Sequence, residues 1–295
     1  MIVASGLPVQ LINGLSSGAI LLLMALGLSL VFGLGRVVNF SHGAVFALSA
    51  LIGFTIIDET GREGYWLALF LTPIIVGAGA ALFELLLIKR IRQRDELDSL
   101  LMTYGVGLVI VGFMRLGWGT DGHLVRPPAL LDGSVPLPLL DTDYPLYRLF
   151  VLVLATLLAG ALMLFVRRSI WGVRVRASVD NPTTAELLGT DSNKLLMSVF
   201  VIGAALAAIA GILSAPILSA SAHMGDDMMI EAFLAIVLGG LGSIRGTIVA
   251  AFFVGITRGL ASTYVDEYVL FVLFAVVGFG IFLRPNGILN DGRLE

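Results

Sequence analysis

Polar and charged side chains that could contact a solute are scarce in this chain, and they interrupt long apolar stretches. Glu84, Glu231, Arg115 and Arg258 lie near the ends of such stretches. A charge at the centre of a bilayer costs about 2.5–3.5 kcal/mol, whereas a charge near the end of a span can reach the interface. The residues that we nominate for contact with a passing polar solute are Asn13, Ser16, Ser17, Thr103, Ser214 and Glu231.

A second candidate site is the segment 167–194, the longest polar and basic connection in the chain. Asn181 suits an N-cap, Pro182 suits the first helical position and Gly189 suits the residue after a helix end. The pattern therefore predicts a short helix over residues 182–188. A helix of two turns is unstable alone in water, so we expect it to pack on the membrane domain or on a partner protein. Composition alone favours an ordinary connecting loop.

Several kinds of chemistry are excluded by what the sequence lacks. The chain has no cysteine, and His42, His123 and His223 show no metal-ligand spacing. The nucleotide-binding motif GxxxxGK[ST] is absent, as are the motifs of serine hydrolases and zinc proteases. The charges form no acidic relay at mid-depth, which argues against an ion-driven carrier. No charged pair in the spans looks built for the carboxylate and ammonium groups of an amino acid. We expect that the chain is not an enzyme and binds neither metal nor cofactor itself.

The composition is typical of a polytopic α-helical membrane protein. The 295 residues are 58% hydrophobic and 13% charged, with a mean hydropathy of +0.99. Soluble proteins have about 25% charged residues. The apolar runs are too long for the strands of a membrane barrel. We predict one all-α transmembrane domain over residues 1–295, with about eight or nine spanning or partly re-entrant helices.

The spans are predicted from the apolar runs and from the charged residues that separate them. The segment 229–243 is short and ends in a glycine cluster, so it is either a short or broken helix or a full crossing. The predicted spans are 10–34, 40–57, 65–88, 99–118, 147–166, 195–219, 229–243, 246–262 and 267–284.

The distribution of lysine and arginine predicts the orientation. The connections 89–98 and 167–194 contain nine of the eighteen basic residues, so that side is predicted to be cytoplasmic. The N-terminus is then outside and the C-terminus inside. The proline-rich segment 119–146 is predicted to be an external loop. Four further arginines fall on the cytoplasmic side if every span crosses: Arg36, Arg245, Arg284 and Arg293.

Glycines are frequent within the spans. The chain has 35 of them, including the GxxxG pair of Gly14 and Gly18 and the small-residue face of Gly203, Ala207 and Gly211. Such faces let membrane helices approach one another closely. They suit a compact bundle that changes shape, although static packing alone explains them equally well.

Three segments together resemble the permease subunits of the branched-chain amino acid type of ABC importer, the LivH/LivM-like proteins. Residues 11–43 contain NFSHG, similar to the family's NFAHG-like motif with Ser41 in place of alanine. Residues 176–211 resemble the cytoplasmic loop and the following helix, with Thr190 in place of the usual isoleucine, and residues 231–256 resemble the glycine-rich segment. The motif positions are Asn39, Phe40, His42, Gly43, Gly239, Gly240, Gly242 and Gly246.

The resemblance implies that the segment 167–194 docks on an ATPase subunit and transmits nucleotide-driven closure to the membrane helices. It also implies a bacterial inner-membrane importer with a second related permease, two ATPase subunits that bind ATP and Mg, and an extracytoplasmic solute-binding protein. Membrane lipid surrounds such a complex, and no nucleic acid is involved. The coupling positions are Arg176, Ala177, Asn181, Pro182, Ala185, Glu186, Leu188 and Gly189.

The expected cargo is a branched-chain or other amino acid, and three alternatives stay open. The same machine could carry urea, short amides or aromatic acids. A passive channel is less favoured, because the sequence shows neither a TVGYG-like filter nor a charged ring. A purely structural membrane anchor is disfavoured by the glycines in the spans.

Overall fold

The computed structural model describes residues 2–35, 38–91, 96–137 and 142–289. Arg36 and Arg293, which contribute to the predicted charge bias, lie outside the described residues. Within the described part, eight helices are long and apolar enough to cross a membrane. This confirms the predicted polytopic helical fold.

The chain folds into eleven principal helices within the described residues. One of them, α3, is extended by a π-helical turn, Glu84–Ile88, and by Lys89–Ile91. In chain order the helices are α1 (Ile2–Gly35), α2 (Ser41–Thr60), α3 (Gly64–Phe83), α4 (Glu96–Trp118), α5 (Leu146–Arg168), α6 (Ile170–Asp180), α7 (Pro182–Leu187), α8 (Ser192–Leu218), α9 (Met224–Gly239), α10 (Ile244–Tyr264) and α11 (Val269–Leu283).

Most helix termini gather at two ends of the bundle. At the end that we call the basic end, where α3 stops at Lys89–Ile91 and α5 stops at Arg168, Gly33 of α1 packs against Gly242. At the opposite end, called the acidic end, His123 and Ala220 exchange backbone hydrogen bonds of 2.8 and 2.9 Å. By the charge bias, the basic end is the predicted cytoplasmic side.

The helix α1 lies at the centre of the bundle. It contacts α5, α8, α9 and α10, and its side chains from Ala19 to Leu26 are buried. It runs antiparallel to α10, and a Cβ atom placed on Gly14 would lie 2.7 Å from the Cα atom of Ile256. The predicted GxxxG pair therefore lies in the α1–α10 interface, where nothing larger than glycine fits without movement.

A second small-residue face packs α8 against two other helices. Gly203 of α8 approaches Gly27 of α1, and Gly211 of α8 approaches Phe46 of α2. Both contacts are between backbones or close to them. The predicted small-residue face of the sixth span thus buries α8 between α1 and α2.

The helix α2 begins inside the bundle. Its second residue, His42, is buried and has its Nε2 atom 3.3 Å from the carbonyl oxygen of Met24, well before the end of α1 at Gly35. At 1.5 Å per residue, this places the start of α2 roughly 16 Å from the end of α1. The start of α2 therefore lies beside the middle of α1 and not at its end.

The helix α9 also begins inside the bundle, because Gly225 in its first turn packs against Gly43 of α2. Its sixteen residues span about 24 Å, which is less than the roughly 30 Å of a hydrocarbon core. It ends at Gly239, and the backbone turns through positive φ angles at Gly240 (99°) and Gly242 (83°). Of the two alternatives for the span 229–243, the structure therefore favours the short helix.

The acidic end carries a small cap built from the described residues of the segment 119–146, which are 119–137 and 142–146. Its strands β1 (Ser134–Leu137) and β2 (Thr142–Pro145) pair antiparallel. The guanidinium of Arg62 forms an ion pair with Asp132. The hairpin was not predicted, because each strand has only four residues and contains proline, which breaks the usual strand pattern.

Candidate functional site

The segment between α5 and α8 folds into two helices at the basic end. Ser169 caps α6 by accepting a hydrogen bond from the Gly172 backbone at 3.0 Å. Trp171 stacks on Phe165 of α5 with ring centroids 5.3 Å apart and donates to Ser198 of α8 at 2.7 Å. The helix α6, which was not predicted, is therefore fixed to the membrane helices on both sides.

The helix α7 is short but well capped. The Asn181 side chain accepts a hydrogen bond from the Thr184 backbone at 2.9 Å, and Pro182 occupies the first turn. These two features confirm the predicted helix start.

The end of α7 is a Schellman motif around Gly189, whose φ angle is +87°. The Thr190 N–H donates to the Ala185 carbonyl at 3.0 Å, and the Gly189 N–H donates to the Glu186 carbonyl at 2.9 Å. This confirms the predicted helix end, although the helix itself stops at Leu187.

The tip of α7 exposes two adjacent leucines. Leu187 is 83% exposed and Leu188 is 82% exposed, whereas Ala185 on the same helix is buried. Such a pair outside the spanning helices is an apolar surface available to a partner protein. We call the exposed residues Glu186, Leu187 and Leu188 the α7 tip. Leu187 was missed by the sequence analysis, although two leucines before a helix-ending glycine were a usable signal.

The coupling positions nominated from the sequence divide into two groups. Arg176 donates to the carbonyl oxygens of Val166 and Arg167 and so caps α5. Asn181, Ala185 and Gly189 likewise shape the segment. The remaining positions, Ala177, Pro182, Glu186 and Leu188, are exposed, as are Asn181 and Gly189.

Four of the six nominated solute-contact residues lie around one cavity of about 330 Å³ at the acidic end. Asn13 and Ser17 line it, and Ser16 donates a hydrogen bond of 3.1 Å to the backbone of Arg148, another lining residue. Glu231 pairs with Arg258, which also lines it. Pockets for small ligands measure about 300–1,000 Å³, so a small solute fits. We call this space the arginine cavity.

Glu231 and Arg258 form an ion pair inside the helical bundle. The Nη1 atom of Arg258 lies 2.7 and 2.8 Å from the two carboxylate oxygens of Glu231. The sequence analysis placed Glu231 and Arg258 near the ends of different spans and did not pair them. The pairing depends on how α9 packs against α10, which residue spacing does not reveal.

Arg148 is held by neutral groups. Its Nη1 atom donates to Oδ1 of Asn13 at 2.7 Å, and the Tyr144 hydroxyl donates to the same oxygen at 3.0 Å. Burial raises the pKa of the Tyr144 phenol, although the positive charge of Arg148 opposes the rise, so the hydroxyl stays protonated. Arg148 was not nominated from the sequence, because it stands at the start of a span where a charge is expected.

The two other nominated residues lie outside the arginine cavity. The Thr103 hydroxyl accepts from the Phe40 backbone and donates to the Val38 carbonyl, both at 3.2 Å, and so supports the turn before α2. Ser214 is buried and donates to the Gly211 carbonyl at 2.8 Å. In this structure both hydroxyls serve packing.

The NFSHG residues form the start of α2. Asn39 precedes the N-cap residue Phe40 and supports the helix start, because its Oδ1 atom accepts hydrogen bonds from the backbone and hydroxyl of Ser41 at 3.2 and 2.6 Å. Phe40 packs between Tyr104 and Phe233, with ring centroids 6.4 Å away in each case. No three histidine or acidic side chains are grouped to hold a metal ion in the part of the chain that the structure describes.

The glycines of the other motif join α9 to α10. Gly239 packs directly against Gly246, and Gly240 packs against Gly287 after α11. With Gly242 against Gly33, these contacts close the basic end of the bundle.

Comparison with known proteins places the whole chain in one group. Residues 10–279 match the family model described as branched-chain amino acid transport system / permease component. The chain is 28% identical to the high-affinity branched-chain amino acid transport system permease protein LivH of Escherichia coli (strain K12), over 97% of this chain and 96% of LivH. It is 30% identical, with the same coverage, to the corresponding protein BraD of Pseudomonas aeruginosa. No solved structure gives a significant match.

Proposed function

Since the chain belongs to the family of permease components of branched-chain amino acid transport systems, we propose that it carries branched-chain or other amino acids across the bacterial inner membrane as a subunit of an ATP-driven importer. The similarity to LivH and BraD along nearly the whole chain is the observation that carries this proposal. The eight apolar helices supply the membrane-spanning part of such a machine.

The α7 tip is the proposed contact with an ATPase subunit. It lies at the basic end, predicted to be cytoplasmic, and it is joined to α5 and α8 through α6. Trp171 ties α6 to both helices, so a force on α7 reaches the membrane domain through packed side chains. ATP and Mg are then bound by the ATPase subunits, and this chain hydrolyses nothing itself.

The remaining partners are assigned to other surfaces. A second related permease and membrane lipid cover the exposed apolar faces of the bundle, which carry large aromatic side chains at Phe70, Phe113, Phe271 and Phe282. An extracytoplasmic binding protein delivers the solute to the acidic end, and two ATPase subunits bind the basic end. A related importer with urea, short amides or aromatic acids as cargo uses the same surfaces.

Affinity purification of the tagged chain from mild detergent tests the assembly. We expect a second permease and ATPase subunits to co-purify, and the loaded binding protein to stimulate ATP hydrolysis. The binding protein's bound solute then identifies the cargo. Solute uptake that continues at full rate without any ATPase subunit overturns the proposal.

The variant Leu188→Glu tests the α7 tip. Because full burial of a leucine contributes about 1.5–3 kcal/mol, we expect at least a tenfold loss of ATPase binding together with the loss of ATP-dependent uptake. Leu130→Glu is the matched control, since Leu130 is also an exposed leucine but lies at the acidic end. If Leu188→Glu binds the ATPase subunit with unchanged affinity, the α7 tip is not part of the interface.

A further inference from the structure

We propose that the arginine cavity binds the carboxylate group of an aliphatic solute between Arg148 and Arg258. This inference rests on the proposed function for the direction of transport, and it adds the chemical group that the chain itself recognises. The cavity lies among the ends of α1, α5, α8 and α10 at the acidic end. In the orientation predicted from the charge bias, a solute released outside the membrane meets it first.

The charge balance of the arginine cavity favours an anion. Arg258 is matched by Glu231. Arg148 forms no ion pair with any residue that the structure describes, since its partners are the neutral amide of Asn13 and the neutral phenol of Tyr144. One positive charge is thus left without a counter-charge. Asp227, one turn before Glu231 on α9, is exposed and does not line the cavity.

Both guanidinium groups retain donors for a ligand. Arg258 contacts Glu231 through Nη1, and Arg148 contacts Asn13 through Nη1. Within the described residues, the Nη2 and Nε atoms of the two arginines have no recorded acceptor. A guanidinium presents its donors in a rigid plane that matches the two oxygens of a carboxylate.

The orientation of Arg148 is fixed before any ligand binds. Asn13 must present its carbonyl oxygen to Arg148, because a guanidinium group can only donate, and the Tyr144 hydroxyl donates to the same oxygen. Ser16 holds the Arg148 backbone from the buried side of α1. Pre-positioned donors lose less conformational entropy when they bind, so this arrangement suits a binding site.

The rest of the cavity wall is partly apolar and partly neutral and polar, the polar side chains being Gln10, Ser17 and Ser262. Ile20 of α1, Ile217 of α8 and Met228 of α9 face the space that the two arginines share. A ligand with a charged group at one end and a short branched aliphatic chain at the other matches this division. The site therefore favours aliphatic carboxylates over neutral or purely cationic solutes.

The direct test is saturation-transfer NMR on the full chain in phosphatidylcholine nanodiscs, together with any subunits that co-purify. The probes are isocaproate and its neutral isostere isocaproamide. We expect saturable binding of isocaproate and at least tenfold weaker binding of isocaproamide. Equal binding of the two, or no saturable isocaproate signal with the wild-type chain, overturns the proposal.

Two variants remove the unmatched charge in different ways. Arg148→Gln deletes it, and Asn13→Asp neutralises it while leaving the arginine and its contact in place. Both are expected to lower isocaproate affinity at least tenfold. Arg115→Gln is the control, because it removes an exposed arginine of α4 that also lies near the acidic end. We expect this variant to bind isocaproate as the wild type does. Unchanged affinity in properly folded Asn13→Asp contradicts the proposal.

A lipid phosphate is the competing occupant. If phosphatidylglycerol stays bound through delipidation in the wild type, is lost in Arg148→Gln and is not displaced by isocaproate, the cavity is a lipid site and the proposal fails. The assay needs no ATP, so its failure is distinguishable from failure of the importer function. If uptake depends on ATP but the cavity does not bind carboxylates, the further inference fails and the proposed function still holds.

Discussion

Glu231 and Arg258 share an ion pair in which the two partners differ in exposure. The Glu231 side chain is 4% exposed, whereas the Arg258 side chain is 29% exposed and borders the arginine cavity. Water can therefore reach the arginine but not the carboxylate. Loss of one partner should have unequal consequences for the two groups.

Arg258→Met should destabilise the protein more than Glu231→Gln does. The first change leaves a buried carboxylate without its cation, at a cost near the low end of the roughly 3–5 kcal/mol found for broken buried pairs. In Glu231→Gln the amide oxygen can still accept a hydrogen bond from Arg258, which water also reaches. We expect this variant to lose about 1 kcal/mol of stability. Apparent Tm in nanodiscs measures both, with Arg115→Met as the exposed control. Equal Tm values for the two variants would contradict this asymmetry.

Gly255→Ala should destabilise the α1–α10 interface by about 1–3 kcal/mol, because overpacking strains a close contact. A Cβ atom at this position would collide with the backbone of Gly18. Gly160→Ala in α5 is the matched control, since nothing lies within 4 Å of its added Cβ atom. Thermal unfolding of the purified chain distinguishes them. A Gly255→Ala variant as stable as Gly160→Ala would show that the helices move apart at little cost.

Asn181→Ala should unfold α7 without changing the stability of the membrane domain. The cap contributes about 1 kcal/mol, which is large for a helix of six residues. Hydrogen exchange of the Thr184 amide measures the local loss, and co-purification measures weaker ATPase binding. Asn181→Ser keeps a capping oxygen and should retain both. Undiminished protection in Asn181→Ala would mean that packing rather than the cap holds α7.

Asp191 should protect the start of α8 in a pH-dependent way. The pKa of its carboxylate is lowered, chiefly by the hydrogen bond from the Lys194 backbone. A carboxylate whose pKa is lowered in the folded state stabilises that state at a pH above its ordinary pKa of about 3.9. This stabilisation is lost as the pH falls through the lowered pKa of the folded state. Asp191→Asn removes the charge at every pH.

The measurement is the exchange protection of the Asn193 and Lys194 amides, which both bond to Asp191 at 3.2 Å. Protection in the wild type should exceed that in Asp191→Asn at neutral pH. The difference should begin to shrink as the pH falls below about 4 and should disappear once the pH is below the lowered pKa of Asp191. A constant difference across this range would show that the carboxylate charge is not responsible.

Local signals in the sequence were sufficient for the spans and for α7. Asn181, Pro182 and Gly189 act through backbone geometry within a few residues, so their pattern alone predicts the helix ends. Long apolar runs likewise predict spanning helices without knowledge of their neighbours. The exception is α9, whose length is set by the contact of Gly225 with a distant helix.

The arginine cavity could be predicted only in part. Asn13, Ser17 and Glu231 were recognisable as polar residues in apolar surroundings. Arg148 and Arg258 were not singled out as partners, because an arginine near a helix end is ordinary in a membrane protein. Their association with Asn13 and Glu231 depends on tertiary contacts between α1, α5, α9 and α10, and no residue spacing encodes these.

The internal start of α9 has a consequence for biogenesis. With sixteen residues and two aspartates in its first turn, α9 is a poor candidate for insertion into lipid on its own. We therefore expect α9 to pack into the bundle only after α2 and α10 have formed the cleft that it occupies. Substitutions at Gly43 or Gly225 should therefore appear first as faster turnover by membrane proteases, with normal transport by the molecules that complete assembly.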